Sequence, residues 1–434
     1  MNQRVSCISA VTARQIFDSR GRPTVEADVT LKDGSTGRAC APSGTSTGRH
    51  EAWELRDGDP ASYGGLGVLS AVAHVRGEIA TRIIGMDALD QAAIDHGLIR
   101  LDGSSSLRRL GANAVLAASL ATARAAASHL RRPLYRYISQ LGGDTPMSLP
   151  MPMTNILSGR APGDQGMDFQ DFLVIPVGAG RYADALAMIS RVGDSAAGLM
   201  KSMNLSVLLA DDGGFSPGFS RTEQALELMV RSFEAAGLRP GADVAIGLDV
   251  AASELLVGAR YRLAGEGRHL SSREMIDCLV ALIRRFPIVS VEDPLDQDDW
   301  EGWREFTLSV PGIQVVGDDL FATNLNRITK GIGDRAANSA LIKLNQNGTV
   351  TGTLAAMAAL RSADFATVVA ARSGETEDTF VSDLAVGSGA GQIKIGSFRN
   401  TERLAKYNQL LRIEEESGLP FAGVSGLSGR LGST

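Results

Sequence analysis

The sequence predicts a closed α/β barrel preceded by a smaller α+β domain. The chain has 434 residues, which suits a barrel of about 250 residues plus one further domain. Its second half contains short apolar runs that end in polar residues and are separated by helix-like segments. From Asp249 onward, the strand-end residues follow one another at intervals of 22 to 43 residues. Intervals of that length are typical of strand–helix units with parallel strands.

Eight apolar runs of this kind predict an eight-stranded barrel, in a domain that we place at residues 141–420. In such barrels the polar side chains at the carboxyl ends of the strands form the active site. The runs are FLVIP (172–176), SVLLADD (206–212), VAIGLD (244–249), IVSVED (288–293), IQVVGDD (313–319), ALIKLN (340–345), TVVAARS (367–373) and QIKIG (392–396).

Residues 1–140 are predicted to form the α+β domain, and Gly and Pro cluster just after it. Apolar and polar residues alternate over 25–31, the pattern of a half-buried strand. Segments 69–84 and 107–130 are rich in Ala and Leu at helical spacing. The segment 41–51 is rich in Gly, Ser and Thr and has no hydrophobic period, which predicts a mobile loop.

Composition and charge exclude several classes of protein. The net charge of −6 argues against a general nucleic-acid binder, which would present a basic face. The sequence contains no run of about 18 apolar residues, so no membrane span is predicted. The first residues lack the pattern of a secretory signal, and Cys7, Cys40 and Cys278 are odd in number and far apart. We therefore expect a cytoplasmic protein with reduced thiols. The Gly- and Ser-rich segment 421–434 is predicted to be a flexible tail.

Three carboxylates end successive predicted strands and form a candidate metal site. Asp249, Glu292 and Asp318 would meet at the barrel mouth, where they would repel one another unless a cation neutralised them. Ligation by oxygen alone indicates Mg²⁺ or Mn²⁺. For any one of these residues taken singly, a helix N-cap or a surface acid in a loop is an equally good interpretation.

Two of the chain's six lysines, Lys343 and Lys394, lie within apolar runs. Pointing into a barrel near a metal, such a lysine can act as a neutral base or bind an anion as a cation. A surface lysine whose stem covers apolar residues is the alternative. Arg372 and Ser373 end another run and suit a clamp for phosphate or carboxylate, with a structural salt bridge as the alternative. Metal carboxylates and a buried lysine together favour abstraction of a proton next to a carboxylate.

Long motifs spread over nearly the whole chain resemble the enolase family. The resemblance implies an N-terminal capping domain, an enolase-type barrel whose first units depart from regular βα order, two Mg²⁺ ions and a homodimer or larger homo-oligomer. It also implies dehydration of 2-phosphoglycerate to phosphoenolpyruvate. The motifs are DSRGRPTVEADV (18–29), APSGTSTGRHEAWELRDGD (41–59), DDGGFSP (211–217), GLDVAASE (247–254), SVEDPLDQDDW (290–300), VVGDDLFATN (315–324), LIKLNQNGTVTGT (341–353), RSGETEDTF (372–380) and, from 391 to 416, GQIKIG followed by ERLAKYNQLLRIEEE.

The resemblance implies a role for each matching position. Lys343 resembles the base that takes the proton from C2, and Lys394 resembles the partner of the substrate carboxylate. Ser46 resembles a ligand of the second Mg²⁺, bound together with the substrate phosphate. The other implied positions are Asp249, Glu292 and Asp318 for the first Mg²⁺, Arg372 and Ser373 for the phosphate clamp, and Gln170 for substrate binding.

Four positions depart from the family pattern. Pro162 and Ala371 stand where the family has histidines, and Asp171 and Asp212 stand where it has glutamates. Each aspartate retracts its carboxylate by about one methylene, and a misplacement of ~1 Å can cost ~10²-fold in rate. These changes predict poor turnover of the usual substrate and more room around the phosphorus. Asp171 and Asp212 are nevertheless the candidates for acid–base work on the leaving hydroxyl.

Three functions follow from this combination. The first is dehydration of a 2-phosphoglycerate analogue enlarged at phosphorus. This resembles the formation of carboxyphosphonoenolpyruvate in phosphinothricin-type antibiotic biosynthesis, in which the phosphorus carries a carboxylate. The second is an ordinary glycolytic enolase that tolerates the four changes. The third is a non-catalytic scaffold. The retained carboxylates, lysines and clamp argue against the scaffold.

Overall fold

A three-stranded antiparallel sheet opens the N-terminal domain. The computed structural model describes residues 5–45, 48–159 and 167–427. The sheet has the order β1-β2-β3, and the alternation expected in β2 is confirmed because its apolar side chains are buried along one face. The strands are β1 (Ile8–Phe17), β2 (Pro23–Leu31) and β3 (Thr36–Cys40).

Helices rich in alanine cover this sheet. Most of the side chains of α4 are buried, and their small size lets the backbone of the helix approach β3 closely. At Gly37 of β3, an added Cβ would lie 2.1 Å from the carbonyl oxygen of Ala121. The helices are α1 (Leu69–His74), which a π-helical turn (Val75–Ile79) joins to α2 (Ala80–Ile83), then α3 (Gln91–Asp102), α4 (Ala112–His129) and α5 (Leu134–Leu141).

Eight of the remaining strands close into a barrel, in the order β4-β5-β6-β10-β11-β12-β13-β14, and the other three form a small separate sheet. The strands are β4 (Met151–Ser158), β5 (Asp171–Ile175), β6 (Ala245–Asp249), β7 (Leu256–Val257), β8 (Arg260–Leu263), β9 (Arg268–Leu270), β10 (Ile288–Glu292), β11 (Gln314–Gly317), β12 (Ser339–Ile342), β13 (Ala366–Ala370) and β14 (Gly391–Gly396).

Helices surround the barrel, as the strand–helix rhythm predicts. They are α6 (Tyr182–Ser202), α7 (Thr222–Ala235), α8 (Ala252–Leu255), α9 (Ser272–Arg285), α10 (Trp300–Ser309), α11 (Leu325–Asp334), α12 (Leu344–Asn347), α13 (Val350–Ser362), α14 (Phe380–Gly387) and α15 (Thr401–Ser417). No helix among the described residues is long and apolar enough to cross a membrane.

The predicted set of barrel strands was wrong at one position. The run 206–212 is a loop, in which Leu208 is 75% exposed and therefore gains little from burial. The first barrel strand is instead β4, whose eight residues are all buried. β5 pairs antiparallel with both β4 and β6, and this is the departure from regular βα order in the first units that the resemblance implies. The barrel domain begins with two consecutive strands, β4 and β5, which are followed by two helices, α6 and α7.

The segment that follows α15 packs at the amino-terminal end of the barrel. Ala422 donates its backbone N–H to Leu149 at 2.9 Å, and Leu149 donates to Pro420 at 2.8 Å. Leu427 is buried. The predicted flexible tail, 421–434, is therefore packed as far as Leu427, because its apolar residues cover the barrel floor. The rest of that prediction, 428–434, lies outside the described residues.

Candidate active site

A cavity of about 400 Å³ opens at the carboxyl ends of the barrel strands. It brings together most of the residues that the sequence singled out, with Ala371 and Leu209 in the same wall. Ser46 and Pro162 lie outside the described residues. The predicted site residues that line the cavity are Gln170, Asp171, Asp212, Asp249, Lys343, Arg372, Ser373 and Lys394.

The three predicted metal ligands lie side by side at this end of the barrel. Asp249 ends β6, Glu292 ends β10 and Asp318 follows β11 directly. Asp249 and Glu292 are partners in the parallel register, so their side chains leave the sheet at one level. All three are buried. Gln170 fixes Asp249 by donating its amide N–H to Asp249 Oδ2 at 3.0 Å.

Both predicted lysines point into the barrel mouth and hold these carboxylates. Lys394 Nζ lies 2.7 Å from Asp249 Oδ2 and 2.7 Å from Glu292 Oε2. Lys343 Nζ is hydrogen-bonded to Asp318 Oδ2. Their ammonium groups are nearly buried, so the interpretation as surface lysines is wrong.

Burial and crowded charge shift the pKa values of these groups. Burial, followed by the charge of Asp249, raises the pKa of Glu292 well above its usual range. Burial alone would lower the pKa of Lys394, but the charges of Asp249 and Glu292 outweigh it and raise that pKa. Burial likewise opposes ionisation of Asp318, yet the charge of Lys343 keeps the pKa of Asp318 below its ordinary value.

The acidic groups at this site fit a divalent cation with hard, oxygen-preferring chemistry. Carboxylate oxygens of Asp293, Asp318 and Asp319 all lie within 4.8 Å of one another; of the predicted metal ligands this group contains Asp318 but not Asp249 or Glu292. Burial, followed by the charge of Asp318, raises the pKa of Asp319 to about 7. An all-oxygen donor set of this kind suits Mg²⁺.

Asp293 orients the backbone that directly follows β11. Its backbone lies in the left-handed region (φ 43°), and its carboxylate accepts the backbone N–H groups of Asp318 at 3.0 Å and Asp319 at 2.9 Å. The conformation is costly for an aspartate, and the two hydrogen bonds offset that cost. This role was not predicted, although Asp293 directly follows Glu292 at the end of the run IVSVED.

The predicted clamp residues follow β13, and the predicted loop 41–51 contacts them. Arg372 Nη1 donates to Glu51 Oε2 at 2.8 Å, and Ser373 Oγ accepts the backbone N–H of Thr45 at 2.8 Å. Arg20 Nη1 also reaches Ser373 Oγ, at 3.2 Å. At Gly44 an added Cβ would lie 1.8 Å from a guanidinium nitrogen of Arg372, so the loop needs glycine to lie this close.

The two short acids form a cluster of their own, in which Asp171 is the register partner of Asp249 where β5 pairs with β6. Asp171 opens β5, and Asp212 lies in the loop that the sequence analysis took for a strand. Ser158, at the end of β4, joins them: its Oγ lies 3.0 Å from Asp171 Oδ1 and 3.0 Å from Asp212 Oδ1. Burial, followed by the charge of Asp212, raises the pKa of Asp171 to about 8. Ser158 was not predicted, because no sequence pattern singles it out.

Comparison with known families covers both domains. The family model described as the enolase C-terminal TIM barrel domain matches residues 146–427, and the model described as the enolase N-terminal domain matches residues 8–138.

Proposed function

The chain belongs to the enolase family, and we propose that within this family of lyases it is a Mg²⁺-dependent hydro-lyase for an enlarged substrate. The substrate is a 2-phosphoglycerate analogue whose phosphorus carries a carboxylate, and the product is carboxyphosphonoenolpyruvate, as in phosphinothricin-type biosynthesis. The same proposal gives a cytoplasmic homodimer or larger homo-oligomer.

One observation carries the choice of substrate: in a single cavity, the base and clamp residues coexist with a wall of shortened side chains. Ala371 lines the cavity directly beside Arg372, and its methyl group leaves space next to the clamp. A phosphate monoester and a carboxyphosphonate ester can both carry two negative charges, but the second spreads them over a longer group. The larger substrate therefore needs added room and no additional cation.

Each retained residue has a task in the proposed reaction. Lys343 removes the proton from C2. Lys394 holds the substrate carboxylate, and Arg372 with Ser373 holds the phosphorus group. Mg²⁺ bound by Asp249, Glu292 and Asp318 would supply positive charge that stabilises the anion formed at the reacting carboxylate. A second Mg²⁺ would be held at a site that includes Ser46.

The departing hydroxyl at C3 faces the cluster of short acids in this proposal. Asp212 protonates it, so that it leaves as water, and Asp171 shares the proton. Asp171 is buried, which strengthens its interaction with the substrate, whereas Asp212 is partly exposed. The shortened reach of the two aspartates requires the substrate to lie in a shifted position.

An assay with 2-phosphoglycerate and Mg²⁺ tests this proposal. We expect at most trace formation of the enolpyruvate absorbance, together with clear thermal stabilisation by Mg²⁺. A ligand at 100 times its Kd adds about 2.7 kcal/mol to the free energy of unfolding. Asp249→Asn should abolish that stabilisation. Asp364→Asn is the matched control, because Asp364 is exposed and precedes β13 at the other end of the barrel.

The alternatives give different outcomes in this assay. Robust turnover of 2-phosphoglycerate that Lys343→Ala abolishes would identify an ordinary glycolytic enolase. Absence of both turnover and Mg²⁺ stabilisation would instead indicate a non-catalytic scaffold and would contradict the proposal.

A further inference from the structure

Arg403 is a large buried cation to which the proposed reaction gives no task. It lies in the first turn of α15 and is only 1% exposed, yet it contributes to the wall of the active-site cavity. A guanidinium carries five N–H donors and a full positive charge, so its burial is costly unless acceptors surround it. Glu402 Oε1 lies 3.6 Å from its Nε, too far for a hydrogen bond. The acceptors of the other two nitrogens therefore indicate what Arg403 holds.

The guanidinium of Arg403 binds three backbone carbonyls at the mouth of the barrel. Nη1 donates to the carbonyl oxygens of Arg372 at 2.6 Å and of Ile395 at 2.9 Å, and Nη2 donates to that of Ser373 at 2.8 Å. The two clamp residues follow β13, whereas Ile395 lies in the neighbouring strand β14, directly after Lys394. One side chain thus joins the clamp to the backbone next to Lys394.

Lys406 lies one turn further along α15 and holds the end of the same clamp segment, residues 372–376. Its Nζ donates to the carbonyl oxygen of Thr376 at 2.8 Å and lies 3.0 Å from Glu375 Oε2. The other carboxylate oxygen, Glu375 Oε1, accepts the backbone N–H of Arg372 at 2.8 Å. Lys406 and Glu375 are both buried, so water competes little for these contacts. The two cations of α15 therefore hold the clamp segment at both of its ends.

The end of β14 leaves room for the side chain of Arg403. Gly396 has a φ of 111°, in the region that favours glycine. An added Cβ there would lie 3.2 Å from Arg403 Cδ and 3.0 Å from the carbonyl oxygen of Asp212. Any larger residue at this position would crowd the arginine stem. The contacts of Arg403 with the carbonyls thus depend on the backbone of β14 as well as on α15.

We propose that Arg403, assisted by Lys406, is a positioning residue that sets the separation between the clamp and Lys394. This inference rests on the proposed function, in which Arg372 and Ser373 hold the phosphorus group and Lys394 holds the carboxylate of the substrate. Arg403 acts through the backbone of these residues, because its Nη1 and Nη2 atoms are directed at carbonyl oxygens. The substrate must span the two ends, so their separation determines how well it binds.

Two small probes measure this separation without any turnover. Phosphoglycolate carries a phosphate ester and a carboxylate at the same spacing as 2-phosphoglycerate, but it has no C3 and so no hydroxyl to lose. Methyl phosphate carries the phosphate end alone, so it can contact the clamp but cannot also occupy Lys394. Isothermal titration calorimetry of the full chain with Mg²⁺ gives the Kd of each probe. Only the probe that spans both ends is sensitive to their separation.

Arg403→Lys is the variant that separates positioning from a general need for a buried cation. Lysine keeps the charge and the aliphatic stem but lacks the planar fork, so it cannot hold all three carbonyls in the same geometry. We expect the Kd of phosphoglycolate to rise about tenfold, roughly the value of one charge-assisted hydrogen bond. The Kd of methyl phosphate should change less than about threefold. A purely structural cation would be rescued by lysine, and neither Kd would then change.

Arg361→Lys is the matched control for this substitution. Arg361, near the end of α13, also donates to a backbone carbonyl, that of Ser388, at 3.0 Å. It precedes β13 and so lies at the other end of the barrel from the clamp. Both Kd values of this variant should match those of the wild type.

Glu375→Gln gives a second test if Arg403→Lys does not fold. The change keeps the size of the side chain but removes the charge that pairs with Lys406. It should weaken the binding of phosphoglycolate about threefold or more and leave methyl phosphate nearly unaffected.

The outcomes distinguish this inference from the proposed function. Unchanged Kd values in Arg403→Lys, an equal weakening of both probes, or a wild type that binds neither probe would each overturn the positioning role. If the selective loss of phosphoglycolate occurs but the wild type dehydrates neither 2-phosphoglycerate nor its carboxyphosphono analogue, the positioning role stands and the proposed function fails.

Discussion

Replacing Lys343 with alanine is expected to lower the dehydration rate by about 10³-fold or more, since a positioned base contributes about 10²–10⁴-fold. Lys343 is the proposed base, and among the described residues no other lysine of the cavity is hydrogen-bonded to Asp318. Lys394 is held by Asp249 and Glu292 and cannot take over this task without leaving them. The enolpyruvate absorbance measures the loss.

The variant should still bind Mg²⁺, because Lys343→Ala removes a cation and leaves Asp318 intact. Thermal stabilisation by Mg²⁺ therefore checks that the fold and the carboxylates survive. Lys330→Ala is the matched control: Lys330 is half-exposed on α11 and pairs with Asp334, so its loss should not alter the rate. A Lys343→Ala protein that kept a tenth or more of the wild-type rate would remove Lys343 from the mechanism.

Restoring the longer side chains should move the preference of the enzyme back towards 2-phosphoglycerate. We expect the double variant Asp212→Glu, Ala371→His to gain about 10²-fold in kcat/KM for 2-phosphoglycerate, the size of effect that a ~1 Å displacement of a catalytic group produces. The glutamate regains the reach that Asp212 lacks. The imidazole fills the space beside Arg372, so kcat/KM for the carboxyphosphono analogue should fall.

The single variant Asp211→Glu provides the control for this reversal. Asp211 also lines the cavity but is exposed, and the change adds the same methylene one residue away from Asp212. Its kcat/KM values should stay close to those of the wild type for both substrates. If the double variant lost activity on both substrates alike, the short side chains would have no part in selecting between them.

Much of the barrel could be predicted because buried strands leave a local pattern. Seven of the eight apolar runs correspond to barrel strands, and the six of these that run parallel to one another carry their polar residues to the same end of the barrel. The remaining strand, β4, was missed because its sequence, MPMTNILS, follows a Gly- and Pro-rich stretch that resembled a domain linker. The run 206–212 has the composition of a strand, but tertiary packing leaves its leucines exposed.

Contacts between distant segments account for what the sequence could not predict at the site. Arg372 and Glu51 are separated by 321 positions, and their ion pair exists only because the N-terminal loop folds over the barrel mouth. Ser158 was overlooked for the same reason, since its partners come from β5 and from a loop. Asp249, Glu292 and Asp318 were accessible to prediction because strand ends in one barrel must converge.

The most direct test of the account is the ratio of kcat/KM for the carboxyphosphono analogue to kcat/KM for 2-phosphoglycerate, measured on the wild-type protein with Mg²⁺. The short acids and the methyl group of Ala371 predict a ratio of at least ~10² in favour of the analogue. A ratio of one or below would contradict the account, because the shortened wall would then have no effect on which substrate the enzyme dehydrates.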